Sequence, residues 1–238
     1  MEQDQGQQST STGPKFTLEL TKPDGRKLSL YARRPIDASI RAPSPFAEPL
    51  NASAHLRWHP LRGEWVTYAA YRQGRTFLPP PEYNPLAPLS DPANPTEVPA
   101  GDWDVAVFDN RFPSLGVPAG AAPPPELIVP TAPARGACEV VVFTQDPRGA
   151  LGRLPLPHLE LLLQVWAERS ERLGAREDVQ YVLPFEHRGA EVGVTLHHPH
   201  GQIYAYPVVP PVPARMQQVA AEHLARHGRG PLQALLEA

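Results

Sequence analysis

Apolar and polar residues alternate along two short runs near the start of the chain, 16–20 and 28–32, and Pro23-Asp24-Gly25 separates them. Period-two alternation on both sides of a Pro-Asp-Gly turn predicts a β-hairpin. Further strand signals fall at 64–70, 103–108, 138–143, 180–185 and 192–206. A helical period is clearest from Pro157, where Leu159, Leu162, Leu163, Trp166 and Leu173 are spaced to form one apolar stripe and Gly174 supplies a stop. That stripe reads as core. A second helix is predicted over 214–227, with His223 and His227 four residues apart. Such a pair could face a metal, but no third ligand lies nearby in sequence. Many strands, few helices and hairpin-scale connections predict an α+β fold with a largely antiparallel sheet.

The 32 prolines punctuate this pattern. They cluster at 79–99, 118–133 and 207–213, where a missing amide proton and a fixed φ oppose continuous helix or central strand, so these stretches read as connecting loops. Residues 1–14, rich in Gln, Ser and Thr, have nothing to bury and read as a disordered tail. With 22 basic residues against 25 acidic and no long basic run, the chain carries no electrostatic footprint for nucleic acid or an anionic membrane. No apolar run is long enough to span a bilayer, and the polar N-terminus lacks a signal-peptide core. The single cysteine, Cys138, rules out an internal disulfide framework and fits a reducing compartment; in its apolar run it reads as a small core residue. Together these point to a cytoplasmic protein.

The richest chemistry lies in His197-His198-Pro199-His200-Gly201-Gln202-Ile203-Tyr204. Read as one extended strand, this run places His198, His200 and Gln202 on the same face and Pro199 and Gly201 on the other. A neutral imidazole can attack phosphorus without a separate base, and a neighbour can fix its tautomer. A His-x-His pair also suits a metal or an ordinary solvated face. The apolar residues around the run favour use, because burial would penalise idle polar groups.

Together with Phe185-Glu186-His187-Arg188-Gly189, this run resembles the active-site region of the galactose-1-phosphate uridylyltransferase family, within the histidine-triad superfamily. Other segments agree in order: Trp58-His59-Pro60-Leu61-Arg62-Gly63-Glu64-Trp65-Val66 with Arg72 and Arg75, then Phe108-Asp109-Asn110-Arg111-Phe112-Pro113, then Ala134-Arg135-Gly136. The resemblance spans roughly residues 56–210. It implies a histidine-triad-like nucleotidyltransferase domain at 15–210, followed by a helical segment at 211–238, with the family's second half missing.

The resemblance further implies that His200 attacks the α-phosphorus of UDP-glucose to give a uridylyl-histidine, which galactose 1-phosphate then accepts. His198 orients the strand, and Gln202 holds a phosphoryl oxygen where related hydrolases carry a third histidine. Arg72 and Arg75 steady a phosphate, Asn110 contacts the ribose region, and Thr195 stands in place of a serine. Without the resemblance, the two arginines read as solvated loop charges and Thr195 as an ordinary strand residue. Alternatives of other classes are a histidine-triad nucleoside-phosphate phosphorylase or hydrolase, and a truncated, non-catalytic nucleotide-binding remnant. A homodimer or a complementing C-terminal chain is the expected assembly.

Three departures accompany the match. Zinc-containing members have a Cys-x-x-Cys pair where this chain has Asn84-Pro85-Leu86-Ala87, and a histidine where it has Pro147. Only His198 of that ligand set remains, so no metal cofactor is expected. Met216 stands near a glutamate ligand of a second metal. His187 replaces an asparagine, with altered reach and a titratable charge.

Overall fold

The computed structural model describes residues 13–50, 53–74, 83–116, 119–186, 188, 189, 191, 194 and 196–238. β1 (Phe16–Thr21) and β2 (Lys27–Ala32) form the expected hairpin. Its turn is closed by Gly25 N–H donating to the Lys22 carbonyl at 2.9 Å, with Gly25 at φ 84°, a region that costs glycine little. β3 (His55–His59), β4 (Glu64–Tyr68) and β6 (Thr131–Pro133) form a three-stranded sheet in the order β4-β3-β6. The larger sheet adds β5 (Val105–Asp109), β7 (Ala137–Val142), β8 (Tyr181–Phe185) and β9 (His200–Tyr206) in the order β1-β2-β5-β7-β9-β8. Every pairing in both sheets is antiparallel, and β1–β2 and β3–β4 are tight hairpins. Pro184 lies in β8, an edge strand, where a missing ladder donor is tolerated.

α1 (Leu156–Gly174) covers one face of the large sheet. Leu161, Leu162, Val165 and Leu173 pack there on Val141, Phe143, Ile203 and Ala205. The buried stripe runs through His158, Leu161, Leu162 and Val165, so Leu163 falls off it and is exposed. On the opposite face two apolar clusters sit apart. One gathers Leu28, Leu30, Trp103, Phe108 and Val142; the other gathers Leu56, Leu115, Ala134 and Cys138, with Tyr204 packed against it. Cys138 is a core residue, and burial pushes its thiol pKa up.

A buried charge cluster ties the hairpin turn to the loop that precedes β5. Arg26 donates to Asp24 at 2.7 Å and to Glu97 at 2.8 Å, and Lys22 also pairs with Glu97. Arg26 further donates to the Asp109 carbonyl at 3.0 Å, and Lys27 N–H to the Asp109 carboxylate at 2.7 Å. The end of β5, immediately before Asn110, is thereby fixed.

Two expectations are corrected. The strand predicted over 192–206 begins only at His200: 194 and 196–199 are irregular, and 192, 193 and 195 lie outside the described residues. Pro199 has no amide to donate, and its carbonyl accepts from Phe143 N–H at 3.0 Å, so pairing with β7 starts there. The proline cluster at 207–213 does not bar helix throughout, because α2 (Pro211–His227) starts within it. First-turn amides have no intrahelical partner, so Pro211 and Pro213 lose nothing there. α2 and α3 (Pro231–Leu236) pack on each other and bury no residue fully.

Candidate active site

β9 carries the site by its pleat. Its residues alternate between buried Gly201, Ile203 and Ala205, facing α1, and half-buried His200, Gln202, Tyr204 and Tyr206, facing the other way. The register against β7 sets Val142 beside His200, Val140 beside Gln202 and Cys138 beside Tyr204. Val142 belongs to the first apolar cluster on that face and Cys138 to the second, so His200 and Gln202 occupy the interval between them. Gly201 is held by close approach: a Cβ there would lie 2.5 Å from the Phe185 carbonyl oxygen and 2.6 Å from the Phe143 ring.

His200 Nδ1 lies 2.7 Å from the His198 carbonyl oxygen. A carbonyl only accepts, so Nδ1 carries the proton and the ring's lone pair is on Nε2. His200 lines a cleft of about 340 Å³ together with Glu186, Arg188, Arg148, Val194 and Leu196. Arg148 and Arg188 bring positive charge to this cleft, beside Glu186. Arg188 belongs to the quoted Glu-His-Arg-Gly segment, and Arg148 is presented by a turn in which its own N–H donates to Asp146 at 2.9 Å. Neither stood out in the sequence as a site residue.

Gln202 is oriented by a short relay. Asn110 Oδ1 accepts from Phe112 N–H at 2.8 Å, which leaves Asn110 Nδ2 to donate to Gln202 Oε1 at 3.0 Å. The Gln202 Nε2 donors are then turned away from Asn110. Asn110 is thus a hydrogen-bond partner of Gln202 on β9. Arg72, on the 3-10 turn Ala70–Gly74, reaches the Tyr204 hydroxyl at 3.5 Å, on the same face as His200 and Gln202. Burial raises the Tyr204 pKa, so the phenol stays protonated. Arg75, His187 and Thr195 lie outside the described residues.

His198 lies outside the strand that carries His200, which begins at His200 itself. His198 sits in the bend before β9; it is buried, and it lines the same cleft as His200. Its Nε2 donates to the Thr144 carbonyl at 2.7 Å, and its Nδ1 lies 2.9 Å from Asn84 Nδ2. Burial holds this imidazole below its ordinary pKa range, against the Thr144 hydrogen bond, which acts the other way. Asn84 and Thr144 carried no role in the sequence reading.

This donor set does not fit the zinc that the sequence resemblance raises. Tetrahedral zinc needs four donors, typically thiolate or imidazole. Ala87 and Pro147 offer none, and both nitrogens of His198 are engaged by protein groups. Among the described residues, no three His, Cys, Asp or Glu side chains converge as a metal site. His223 and His227 stack with ring centroids 4.4 Å apart on exposed α2, and His223 Nδ1 donates to the Arg229 carbonyl at 3.0 Å. Met216 is exposed on the same helix.

Comparison with known proteins bears on the family and the fold. The curated galactose-1-phosphate uridylyltransferase of Streptomyces lividans is 39% identical over 212 residues, covering 88% of this chain and 54% of its own length. That of Thermotoga maritima is 39% identical over 160 residues, covering 65% of this chain and 47% of its own. A solved structure titled "Structure of uridylyltransferase" superposes with a TM-score of 0.63 at 30% identity, covering 77% of this chain and 55% of that one. This chain spans about half the length of the curated relatives it matches. Residues 46–210 match the family described as "Galactose-1-phosphate uridyl transferase, N-terminal domain", and the chain belongs to that family.

Proposed function

We propose that this chain transfers a uridylyl group between UDP-glucose and galactose 1-phosphate through a covalent intermediate on His200. The observation that carries the reading is the His200 Nδ1 bond to the His198 carbonyl, which puts the lone pair on Nε2 of a histidine lining the cleft.

In the first step Nε2 bonds to the α-phosphorus of UDP-glucose while the bond from that phosphorus to the bridging oxygen breaks. Glucose 1-phosphate leaves with the electron pair. The histidine, still protonated at Nδ1, becomes imidazolium-like. Its bond to the His198 carbonyl then strengthens as charge develops, a form of transition-state stabilisation. In the second step a phosphate oxygen of galactose 1-phosphate attacks the same phosphorus, and the pair returns to Nε2.

The neighbours support this chemistry. Gln202 can donate to a non-bridging oxygen but has no proton to release at neutral pH. That suits phosphate leaving groups and acceptors, which need none. Arg148, Arg188 and Arg72 supply charge for the phosphates, and Arg75, Thr195 and His187 complete the nucleotide side. We place this machinery in residues 15–210, with 211–238 as a helical extension, in a cytoplasmic protein acting as a homodimer or with a complementing C-terminal chain. No helix among the described residues is long and apolar enough to cross a membrane.

A two-part kinetic experiment tests the proposal. Mixing with UDP-glucose should release glucose 1-phosphate in a burst, and galactose 1-phosphate should then yield UDP-galactose. Preference for inorganic phosphate as the second substrate would instead assign a phosphorylase, an activity named for a relative in Arabidopsis thaliana that is 22% identical, ADP-glucose phosphorylase.

A further inference from the structure

Asn84 and His198 are 114 positions apart, yet their side chains meet at 2.9 Å, two residues before His200. The hydrogen bonds at this junction admit one consistent assignment. Leu86 N–H donates to Asn84 Oδ1 at 3.1 Å, so the Asn84 amide presents its NH₂ to His198. An NH₂ only donates, so His198 Nδ1 is bare and accepts at 2.9 Å. The proton is then on Nε2, as the Thr144 carbonyl at 2.7 Å requires. Each group satisfies its neighbour and neither nitrogen has a second reading. Thr144 follows Phe143, whose N–H is held by the Pro199 carbonyl at 3.0 Å, so the clamp grips both sides of the His198-Pro199 bend.

From this geometry we propose that Asn84 is a positioning residue: by clamping neutral His198 between its own amide and the Thr144 carbonyl, it holds the carbonyl that orients His200, without metal. The argument has three steps. The His198 carbonyl sets the His200 tautomer, so any rotation of the His198 peptide misdirects the Nε2 lone pair. The His198 ring anchors that peptide, because it is buried and bonded at both nitrogens. Asn84 is the one side-chain partner of that ring among the described hydrogen bonds, the other partner being backbone. It occupies the start of the Asn84-Pro85-Leu86-Ala87 segment, whose backbone is pinned by Ala87 N–H to the Asn84 carbonyl at 3.1 Å and Glu97 N–H to the Pro85 carbonyl at 2.8 Å. The clamp is thus built on a rigid turn, and it performs by hydrogen bonding the anchoring that a four-coordinate ion performs by coordination.

The proposal rests on the uridylyl-transfer reading only for its kinetic arm, so the test has two arms. In the first, long-range ¹H–¹⁵N spectra of the ligand-free full chain should show His198 with a bare Nδ1 and a protonated Nε2, unchanged by one equivalent of zinc. In Asn84→Asp, which keeps the shape but has no proton to give, Nδ1 should become protonated. A protonated Nδ1 in the parent chain, zinc-induced movement of its resonance, or a bare Nδ1 retained in Asn84→Asp would each overturn the clamp. In the second arm, Asn84→Leu should lower the maximal rate of uridylylation by about 10- to 100-fold, the usual cost of removing an outer partner of a functional imidazole. The UDP-glucose concentration giving half that rate should not move. An undiminished rate, or a loss confined to substrate affinity, would show that Asn84 does not position the nucleophile. If Asn84→Leu fails to fold, Asn84→Ala takes its place in this arm with the same expectation. Should the parent chain transfer no uridylyl group, the functional reading fails, and the spectra still decide the clamp.

Discussion

His200 donates its Nδ1 proton to the carbonyl oxygen of His198 at 2.7 Å, two residues back along the same bend. This contact decides which nitrogen can act as nucleophile, and it depends on backbone rather than on a second titratable side chain. The nucleophile's tautomer is therefore as rigid as the His198-Pro199 bend. Variants that move this bend should alter chemistry more than substrate affinity.

Gly201→Ala tests the packing that seats the nucleophile. The added methyl would meet a backbone carbonyl at 2.5 Å and a core aromatic ring at 2.6 Å, and the carbonyl cannot turn aside as the end of a flexible side chain could. Overpacking of this kind costs about 1–3 kcal/mol. Denaturant titration should show that loss, and a midpoint equal to that of the parent would refute the close approach.

The relay from Phe112 through Asn110 to Gln202 makes a sharper claim about atoms. Asn110→Asp keeps the acceptor for Phe112 N–H but presents an oxygen to Gln202, which should turn its NH₂ inward and its carbonyl toward substrate. Losing one preorganised donor to a transition-state oxygen costs about 10²–10³ in rate. Single-turnover release of glucose 1-phosphate should fall within that range for Asn110→Asp and for Gln202→Glu alike. A normal rate in either would remove Gln202 from the phosphate's surroundings.

Arg26→Met should unfold the chain more readily than any exposed charge change. It strips a buried cation from Asp24 and Glu97 and a donor from the Asp109 carbonyl, leaving Lys22 as the neighbouring cation for Glu97. Breaking a buried pair on one side costs about 3–5 kcal/mol. Arg62→Met, at a salt bridge whose arginine side chain is 68% exposed, should cost well under that by the same calorimetric measurement. Equal losses would show that the buried cluster carries no special weight.

Chelator treatment should leave the melting temperature of the chain unchanged, because the Asn84 segment, Pro147 and His198 do not form a zinc donor set. One tightly held zinc per chain, with unfolding on its removal, would contradict this.

The hairpin, α1 and the large antiparallel sheet were legible because their side chains obey a local period: alternation in β1 and β2, a buried stripe in α1. Leu163 was misassigned because a leucine just off the stripe looks identical to one on it until the helix docks. β3 and β6 escaped notice for a related reason. His55–His59 has too few apolar residues to announce a strand, and Thr131–Pro133 pairs only because β3 lies beside it.

The site was legible in its strand and illegible in its supports. His200 and Gln202 share a face within β9, whereas the expected strand runs on through His198 because nothing in the sequence marks where pairing with β7 begins. The proline cluster before α2 misled in the same way, since a proline in a first turn and one in a loop have the same local signature. Asn84, then Thr144 and Arg148 together, and Arg188 reach the site from three separate loops. Their proximity is a property of the closed sheet, so no local spacing could reveal it.

Intact-protein mass spectrometry after mixing the chain with UDP-glucose tests the central claim most directly. One uridylyl group per chain should appear, map to His200, disappear when galactose 1-phosphate is added, and be absent from His200→Gly. An adduct of normal yield on His200→Gly, or one mapped to the exposed His197, would contradict the assignment of His200 as the nucleophile.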